Sequence, residues 1–209
     1  MKLEWLGDSA LIIRDLGQSA VIAAEKLRQL DCVTECVPSA DTVALWFTTL
    51  PPTEADIQRH LTKPDLAHIP TRHKIPVCYS LGLDNDEVAG LRSLDVESVA
   101  DYHAKALFTC VAVGFMPGFA YLEGLPPQLA SLPRRAEPRV RVPKGAVGIT
   151  GTKTGIYPTQ CPGGWWIIGR CPLELVHVEE KYFPIHTGDE VSFFAIDRHE
   201  FDEMRGERL

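Results

Sequence analysis

Apolar and polar positions in the first third of the chain recur with the periods of both helices and strands. In the segment 18–30, Val21, Ala24 and Leu27 recur at a spacing near 3.6 residues, which predicts an amphipathic helix. A second helix is predicted at 53–61, where a threonine is a suitable N-cap. Strands are predicted at 3–15 (two, joined by a turn), 32–37, 42–48 and 74–79.

These elements predict a small N-terminal domain over residues 1–79. Their order favours an α+β fold in which an antiparallel sheet carries helices on one face, an antiparallel α/β sandwich. The predicted strand at 74–79 closes this domain. The remaining residues, 80–209, are predicted to form a second domain.

Two helices are predicted at the start of the second domain. Asp84 is followed three residues later by Glu87, which is the pattern of a capping box. A further helix begins after Asp95, and its apolar stripe contains His103. The imidazole is therefore predicted to face inward.

Short strands and turn residues dominate the rest of the chain. In the segment PRVRV, Arg139 and Arg141 share one face and the valines share the other, which is typical of a half-buried strand. Many strands without a long helix after residue 107 favour a closed or nearly closed β-barrel. The charged C-terminal segment FDEMRGERL is predicted to fray. The predicted strands are 108–113, 138–142, 146–150, 165–169, 173–178 and 190–196.

Composition and net charge indicate which partners and which compartment to expect. The chain has 209 residues, 45% of them apolar, with a formal net charge of −7, so a nucleic-acid partner is not expected. We expect a cytoplasmic protein without a membrane anchor, since no apolar run approaches 18 residues and the first residues carry acids. Six cysteines fit a reducing compartment. Cys32 and Cys36 lack a second ligand pair, so no metal site is predicted there.

Several segments occur in a fixed order between residues 114 and 170: GFMPGFAYL, PRVRVPKGAVGITG, TGIYP and PGGWWIIGR. Together they resemble the allophanate hydrolase subunit 1 family, which includes the B subunit of the ATP-dependent bacterial 5-oxoprolinase and the KipI-like kinase inhibitors. The opening segment WLGDSALIIRDLG is similar to the first strand of that family. The resemblance implies a cyclophilin-like β-barrel for the second domain.

The resemblance also implies a function. It favours the B subunit of a 5-oxoprolinase, which would open 5-oxoproline to glutamate at the expense of ATP, with Mg, shared among subunits. The implied partners are the C subunit, which is an allophanate hydrolase subunit 2 homologue, and a third component; the substrate is a small carboxylate. Two alternatives stay open: a KipI-like inhibitor of a sensor histidine kinase, and a subunit of urea or allophanate metabolism. No biotin-acceptor Met-Lys motif is present.

His103 is the first candidate for catalysis. A lone histidine on an apolar face is equally well explained as a core residue with satisfied ring nitrogens. The family resemblance implies instead an acid, base or hydrogen-bond donor at the floor of a pocket. Both interpretations stay open at this point.

A basic cluster in an acidic protein is the second candidate. Five cations fall within eleven residues, namely Arg134, Arg135, Arg139, Arg141 and Lys144. Guanidinium groups suit carboxylates and phosphates because their donors form a planar fork. Arg139 is the first choice for a ligand contact and Arg134 the second. A solvated face or salt bridges to a partner subunit are the alternatives.

The glycine-rich segment 148–155 does not form a P-loop, because a threonine stands between Gly151 and Lys153. Its backbone is still a candidate for an anion-binding nest. The resemblance implies anion-binding roles for Thr154 and Tyr157, and for Lys153 although a glutamine is expected at that position.

Aromatic side chains complete the predicted site. The aromatic residues between 115 and 166 are candidates for a pocket or interface wall, with core packing as the alternative. Phe115 and Phe119 are the first choices for the pocket wall, and the others are Tyr121, Tyr157, Trp165 and Trp166. Trp165 and Trp166 are adjacent, so in a strand one ring faces inward and the other outward, where it suits a subunit interface. Cys161 stands where the family pattern has a small hydroxyl residue. A nucleophilic role for it is poorly supported, because no base can be placed beside it from the sequence.

Overall fold

The chain folds into two compact units. The structure is a computed structural model, and its described residues are 1–16, 19–48, 50–63 and 70–209. The two units are Met1–Pro70 and Thr71–Leu209. The first position of the predicted helix at 18–30 lies outside the described residues. Across the described part, every helix is too short or too polar to cross a membrane.

The first unit is one antiparallel sheet with two helices. Its strands lie in the order β1-β2-β4-β3. Side chains at alternate positions of β2 and β4, together with the apolar face of α1, form its buried core. Thr53 caps α2 by accepting the Asp56 N–H at 3.1 Å. The elements are β1 (Lys2–Leu6), β2 (Ala10–Arg14), α1 (Ala20–Leu27), β3 (Val33–Ser39), β4 (Thr42–Phe47) and α2 (Glu54–Leu61).

The second unit contains most of the strands. Its elements are β5 (Arg72–Val77), α3 (Asn85–Arg92), α4 (Val96–Ala104), β6 (Leu107–Val113), β7 (Ala120–Glu123), β8 (Arg139–Val142), β9 (Ala146–Thr150), β10 (Lys153–Ile156), β11 (Cys161–Gly163), β12 (Trp166–Arg170), β13 (Glu190–Ala195) and α5 (Arg198–Glu203). β8 and β11 form a separate two-stranded ribbon.

Seven strands of this unit form a nearly closed barrel. They lie in the order β12-β9-β10-β7-β6-β13-β5. The two edges meet where Cys78 and Arg170 exchange backbone hydrogen bonds of 2.8 and 3.1 Å. The interior is filled by apolar side chains such as Phe108 and Ile149, which are fully buried. The predicted α+β fold with a C-terminal barrel is confirmed.

Three details correct the sequence-based expectations. β5 pairs in parallel with β13, so this strand belongs to the second unit and does not close the first. The predicted strand at 173–178 is absent from the described chain; only isolated bridges at Glu174 and His177 occur there. The predicted loop 148–155 is a hairpin, because β9 and β10 pair directly across Gly151 and Thr152.

The C-terminal segment is also more ordered than predicted. Asp197 begins α5 with a capping box: its side chain accepts the Glu200 N–H, and the Glu200 side chain accepts the Asp197 N–H. Phe201 is 2% exposed and packs with Cys78 and Ile196. Burial of Phe201 therefore stabilises α5, a helix that the charged sequence of this segment does not indicate.

Closure of the barrel requires glycine at position 169. A Cβ atom at Gly169 would lie 2.6 Å from Val77 Cγ1 and 3.3 Å from the Cys78 carbonyl oxygen. We expect Gly169→Ala to lower the free energy of unfolding by about 1 to 3 kcal/mol, as overpacking in a core does. Urea denaturation monitored by circular dichroism measures this change.

Gly90→Ala is the matched control for Gly169→Ala. Gly90 lies in α3 with open space around the added methyl group, so alanine should raise stability by about 0.5 to 1 kcal/mol. Equal effects of the two substitutions would contradict the assigned role of Gly169 in closing the barrel.

Candidate functional site

The carboxylate of Asp84 is fully buried and binds two arginines, one just before β8 and one at its first residue. Arg139 pairs with both of its oxygens, with Nη1 2.8 Å from Oδ2. Arg135 donates to Oδ1 at 2.6 Å, and the Ile167 N–H donates to Oδ2 at 2.6 Å. The buried charge is therefore compensated by two guanidinium groups and one amide.

This arrangement changes two predictions. Asp84 stands at the N-terminus of α3, but its side chain does not cap the helix, because its oxygens are occupied by the arginines. Arg139, the first choice for a ligand contact, is committed to this buried ion pair. Arg135 also binds Glu87 at 2.6 Å and lies 4.8 Å from the centre of the Trp166 ring. Both guanidinium groups therefore have carboxylate partners within the chain, and a ligand contact for Arg139 stays a prediction.

His103 lies in the barrel core with both ring nitrogens engaged. Nδ1 is 2.7 Å from the Tyr79 hydroxyl, and Nε2 is 2.9 Å from Thr154 Oγ1. Thr154 donates its own proton to the Gly148 carbonyl at 3.1 Å. Thr154 Oγ1 is therefore the acceptor from His103, which fixes the proton on Nε2 and makes the Tyr79 hydroxyl the donor to Nδ1.

The environment of His103 favours the neutral ring. The residue is fully buried, and its ring stacks on Phe193 with 4.5 Å between the centroids. Burial lowers the pKa of His103 from 6.5 to about 3. This geometry is that of a structural histidine, the alternative that the sequence left open. Thr154 is equally buried and belongs to the same chain of hydrogen bonds.

Lys153 lies apart from both groups. Its Nζ atom is 2.6 Å from a carboxylate oxygen of Glu123, across the pair formed by β10 and β7. The predicted anion-binding set is thus divided among several places. Arg139 is in the Asp84 cluster, Thr154 is with His103, and Lys153 is at the start of β10, paired with Glu123.

The remaining predicted residues come together around one pocket. Arg134, Tyr157, Phe115 and Phe119 line a cavity of about 270 Å³. We call it the aromatic pocket. Its lining residues are Phe115, Phe119, Tyr121, Arg134, Pro138, Tyr157, Pro162, Gly163, Gly164 and Trp165.

The walls of the aromatic pocket are rigid. Phe119 is the hub of the cluster, because its ring contacts Phe115, Tyr121, Tyr157 and Trp165 edge-to-face at centroid distances of 4.9 to 5.5 Å. The glycine at position 163 is required here, since a Cβ atom would lie 2.7 Å from the Tyr157 hydroxyl oxygen.

Arg134 gives the aromatic pocket its charge. It is the one charged residue in the described lining, and it is exposed. Within the part of the chain that the structure describes, Arg134 has no carboxylate partner, unlike Arg135 and Arg139. A guanidinium group at the edge of an aromatic cavity is suited to a small ligand with an apolar body and a carboxylate.

Two titratable groups at or beside this pocket, Tyr157 and Cys161, are held in their neutral, protonated forms. Burial raises the pKa of Tyr157 to about 12. Burial also raises the pKa of the Cys161 thiol, so the thiolate needed for a nucleophile is disfavoured. The aromatic pocket is thus equipped to bind and orient a ligand.

Phe115 stands out for its backbone. Its φ angle is +72°, a conformation that bulky residues rarely adopt. Its side chain is 64% exposed although it forms one wall of the aromatic pocket. Strained backbone of this kind persists where the surrounding structure requires it, and it occurs often at ligand-binding sites.

One feature of this region escapes prediction from the sequence. The sequence gives Asp84 the pattern of a helix cap, and its ion pairs with Arg135 and Arg139 leave no local pattern. Tyr121 and Trp165, by contrast, are among the aromatic residues predicted as a pocket or interface wall, and both line the aromatic pocket. Tyr121 lies two positions after Phe119, and alternate residues of a strand share a face.

Comparisons with known proteins identify the family. A family model described as carboxyltransferase domain, subdomain C and D, matches residues 1–184. The chain belongs to this carboxyltransferase-domain family. A curated relative from Bacillus subtilis (strain 168), named as the B subunit of 5-oxoprolinase, is 31% identical over 234 residues, covering 99% of this chain and 97% of the relative. The predicted resemblance is therefore confirmed.

Solved structures place the same carboxyltransferase-domain fold in longer chains. The crystal structure of TTHA0988 matches with a TM-score of 0.79 and 31% identity, and this chain spans 90% of its own length but 40% of that chain. The urea carboxylase of Kluyveromyces lactis matches with a TM-score of 0.72 at 16% identity, over 97% of this chain and 22% of that one. The second likeness concerns the fold alone.

Proposed function

We propose that the chain is the B subunit of an ATP-dependent 5-oxoprolinase. The complex would hydrolyse the lactam of 5-oxoproline to glutamate while converting ATP and water to ADP and phosphate. The relative from Bacillus subtilis that carries this name aligns over almost the whole chain. A homologue of allophanate hydrolase subunit 2 and a third component would complete the cytoplasmic complex.

Within that complex, the chain binds and orients the substrate. The observation that carries the proposal is the unpaired Arg134 at the edge of a 270 Å³ aromatic pocket, among the described residues. 5-Oxoproline has a small lactam ring, in which two methylene groups lie beside a polar amide, and one carboxylate. The methylene groups would pack against the aromatic walls while the carboxylate pairs with the guanidinium group. Specific binding of this kind lowers KM and aligns the lactam carbonyl.

The groups that act on the lactam belong to the partner proteins in this proposal. Neither Tyr157 nor Cys161 carries a pKa suited to proton transfer near neutral pH, because burial raises both. ATP supplies the phosphoryl group that activates the lactam oxygen. The aromatic pocket itself, with a single cation in its described lining, does not fit a triphosphate.

Arg134→Ala tests this function in the reconstituted complex. We expect KM for 5-oxoproline to rise about tenfold or more, since a charge-assisted hydrogen bond contributes roughly 1.5 to 3 kcal/mol. The kcat should change much less, because the residue holds the substrate rather than reacting with it. Steady-state release of ADP at varied 5-oxoproline concentrations measures both parameters.

Arg141→Ala is the matched control. Arg141 lies on the same segment, is exposed, and does not line the aromatic pocket. Its removal changes the net charge equally and should leave KM unaltered. An unchanged KM in Arg134→Ala, or an equal rise in both variants, would refute the assignment. A complex that hydrolyses no ATP in response to 5-oxoproline would refute the function itself.

A further inference from the structure

A second cavity of the barrel unit lies against α5 and has a different character. Its volume is about 250 Å³, and it shares no lining residue with the aromatic pocket. Lys144, Arg170 and Arg205 contribute its cations, and Phe201 forms its apolar floor. We call it the arginine pocket. Arg170 and Arg205 lie 35 residues apart in the chain, so no local pattern in the sequence connects them.

Three guanidinium groups lie around the ring of Phe201. Two of them, Arg170 and Arg205, line the arginine pocket together with one acidic residue, Glu174, whereas Arg198 lies outside the lining. The Cζ atoms of Arg170, Arg198 and Arg205 lie 5.7, 5.8 and 5.8 Å from the centroid of Phe201. Arg170 is oriented further by its Nε atom, which donates to the Lys144 carbonyl at 2.9 Å. The buried ring and the backbone carbonyl thus hold the cations close together.

Nearby carboxylates leave part of this charge uncompensated. Asp202 binds Arg198 at 2.9 Å, and Glu174 binds Lys144 at 3.0 Å. No carboxylate within the described residues pairs with Arg205 or with the Nη groups of Arg170. Two positive charges therefore remain together in a protein whose formal net charge is −7.

The neighbouring positive charges disfavour the protonated form of Arg170. Burial, Arg205 and Arg198 all lower the pKa of Arg170. Like charges repel, so an arrangement of this kind is stabilised when an anion binds between them. The fork of an arginine matches the oxygens of a phosphate group, and several arginines around one cavity favour an anion with more than one negative charge.

We propose that the arginine pocket binds a phosphate group through Arg170 and Arg205, which line it, with the charge of Arg198 beside them on the same Phe201 ring. The volume accommodates inorganic phosphate, pyrophosphate or the terminal phosphates of a nucleotide, and all three present the same oxygens to the guanidinium groups. The proposal stands on residues outside the aromatic pocket. Its outcome is therefore independent of the 5-oxoproline assignment.

Calorimetric titration of the full chain at 150 mM salt tests the proposal, with inorganic phosphate, pyrophosphate and ATP as separate probes. We expect pyrophosphate to bind, and Arg205→Met to weaken that binding about tenfold, as loss of one charge-assisted contact does. Arg205 is exposed, so the variant should fold normally, which its thermal midpoint without ligand verifies. Arg198→Met should weaken binding in the same direction.

The control and the comparison of probes decide the outcome. Arg141→Met removes an exposed arginine outside the arginine pocket and should leave pyrophosphate affinity unchanged. ATP binding as tightly as pyrophosphate would show that the phosphates alone are recognised, whereas tighter binding of ATP would identify a nucleotide as the source. The proposal would be overturned if Arg205→Met and Arg141→Met lost equal pyrophosphate affinity. It would also be overturned if no probe bound at millimolar concentration.

Discussion

Asp84→Ala is expected to lower the free energy of unfolding by about 3 to 5 kcal/mol, the range for removing one partner of a buried ion pair. The carboxylate is fully buried and accepts hydrogen bonds from Arg135, Arg139 and the Ile167 N–H. Alanine would leave those donors without an acceptor in a site that water cannot readily reach. Urea denaturation of the isolated chain measures the loss.

The same substitution should also affect the aromatic pocket. Arg135 directly follows Arg134 in the chain and Arg139 directly follows Pro138, and Arg134 and Pro138 line the pocket. Without Asp84 to hold these two arginines, the segment becomes mobile and Arg134 loses its fixed position. We therefore expect a higher KM for 5-oxoproline in the complex, at temperatures where Asp84→Ala is still folded.

Asp101→Ala is the control for Asp84→Ala. Asp101 makes an exposed ion pair with Lys105 one helical turn away, and such pairs contribute about 0.3 to 0.5 kcal/mol. A loss below about 1 kcal/mol in Asp84→Ala, close to that of Asp101→Ala, would show that the Asp84 cluster is not the anchor that we describe.

His103→Gln should reduce the loss of unfolding free energy that the barrel unit undergoes as the pH falls below 6.5. Burial lowers the pKa of His103 in the folded chain from 6.5 to about 3. Between these values the unfolded chain binds a proton that the folded chain does not. The contribution of neutral His103 is complete above pH 6.5 and is lost as the pH falls towards 3, by about 1.4 kcal/mol per pH unit.

Two measurements separate this effect from the cost of the substitution itself. At pH 7.5, His103→Gln should be about 2 to 4 kcal/mol less stable than the parent, because the ring packing on Phe193 and one or both hydrogen bonds are lost. Between pH 6.5 and 5, the stability of the variant should fall less steeply than that of the parent. Urea denaturation at each pH provides both values.

His199→Gln controls for titration in general. His199 is exposed and pairs with Glu203 one turn away on α5, so its replacement should leave the pH slope as in the parent. Identical slopes in His103→Gln and the parent would contradict the neutral, buried state of His103. A catalytic histidine would behave differently, since its loss would lower kcat without changing the pH dependence of stability.

Local patterns in the sequence predict most of the architecture. The spacing of Val21, Ala24 and Leu27 locates α1, and period-two alternation locates β8 and β9 near their observed bounds. The barrel follows from strand density. These features depend on neighbours in the chain, which is why the sequence alone suffices for them.

Long-range contacts explain what could not be predicted. The strand pattern places β5 in the first domain because it does not reveal the partner of β5, β13, which lies more than a hundred residues later. The basic cluster favours a ligand contact for Arg139 because its buried partner Asp84 is 55 residues away. The choice between ligand and ion pair depends on a contact that no local spacing encodes.

The candidate site is predictable in part for the same reason. Phe115, Phe119, Arg134 and Tyr157 are predicted as site residues and do line one cavity. Their apolar or charged character already indicates a binding role. His103 and Thr154 are predicted for the same site, and only the tertiary structure shows that their polar groups satisfy each other inside the core.

The pairing of β5 with β13 has a consequence for biosynthesis. Residues 72–77 leave the ribosome well before their hydrogen-bonding partners at 190–195, which are synthesised more than a hundred residues later. The barrel therefore cannot be completed during most of translation, and one edge of β5 stays exposed meanwhile. The described sheet pairings of the first unit lie within residues 2–47. That unit can form its sheet while later residues are still being synthesised, whereas the barrel must wait until residues 190–195 have been made.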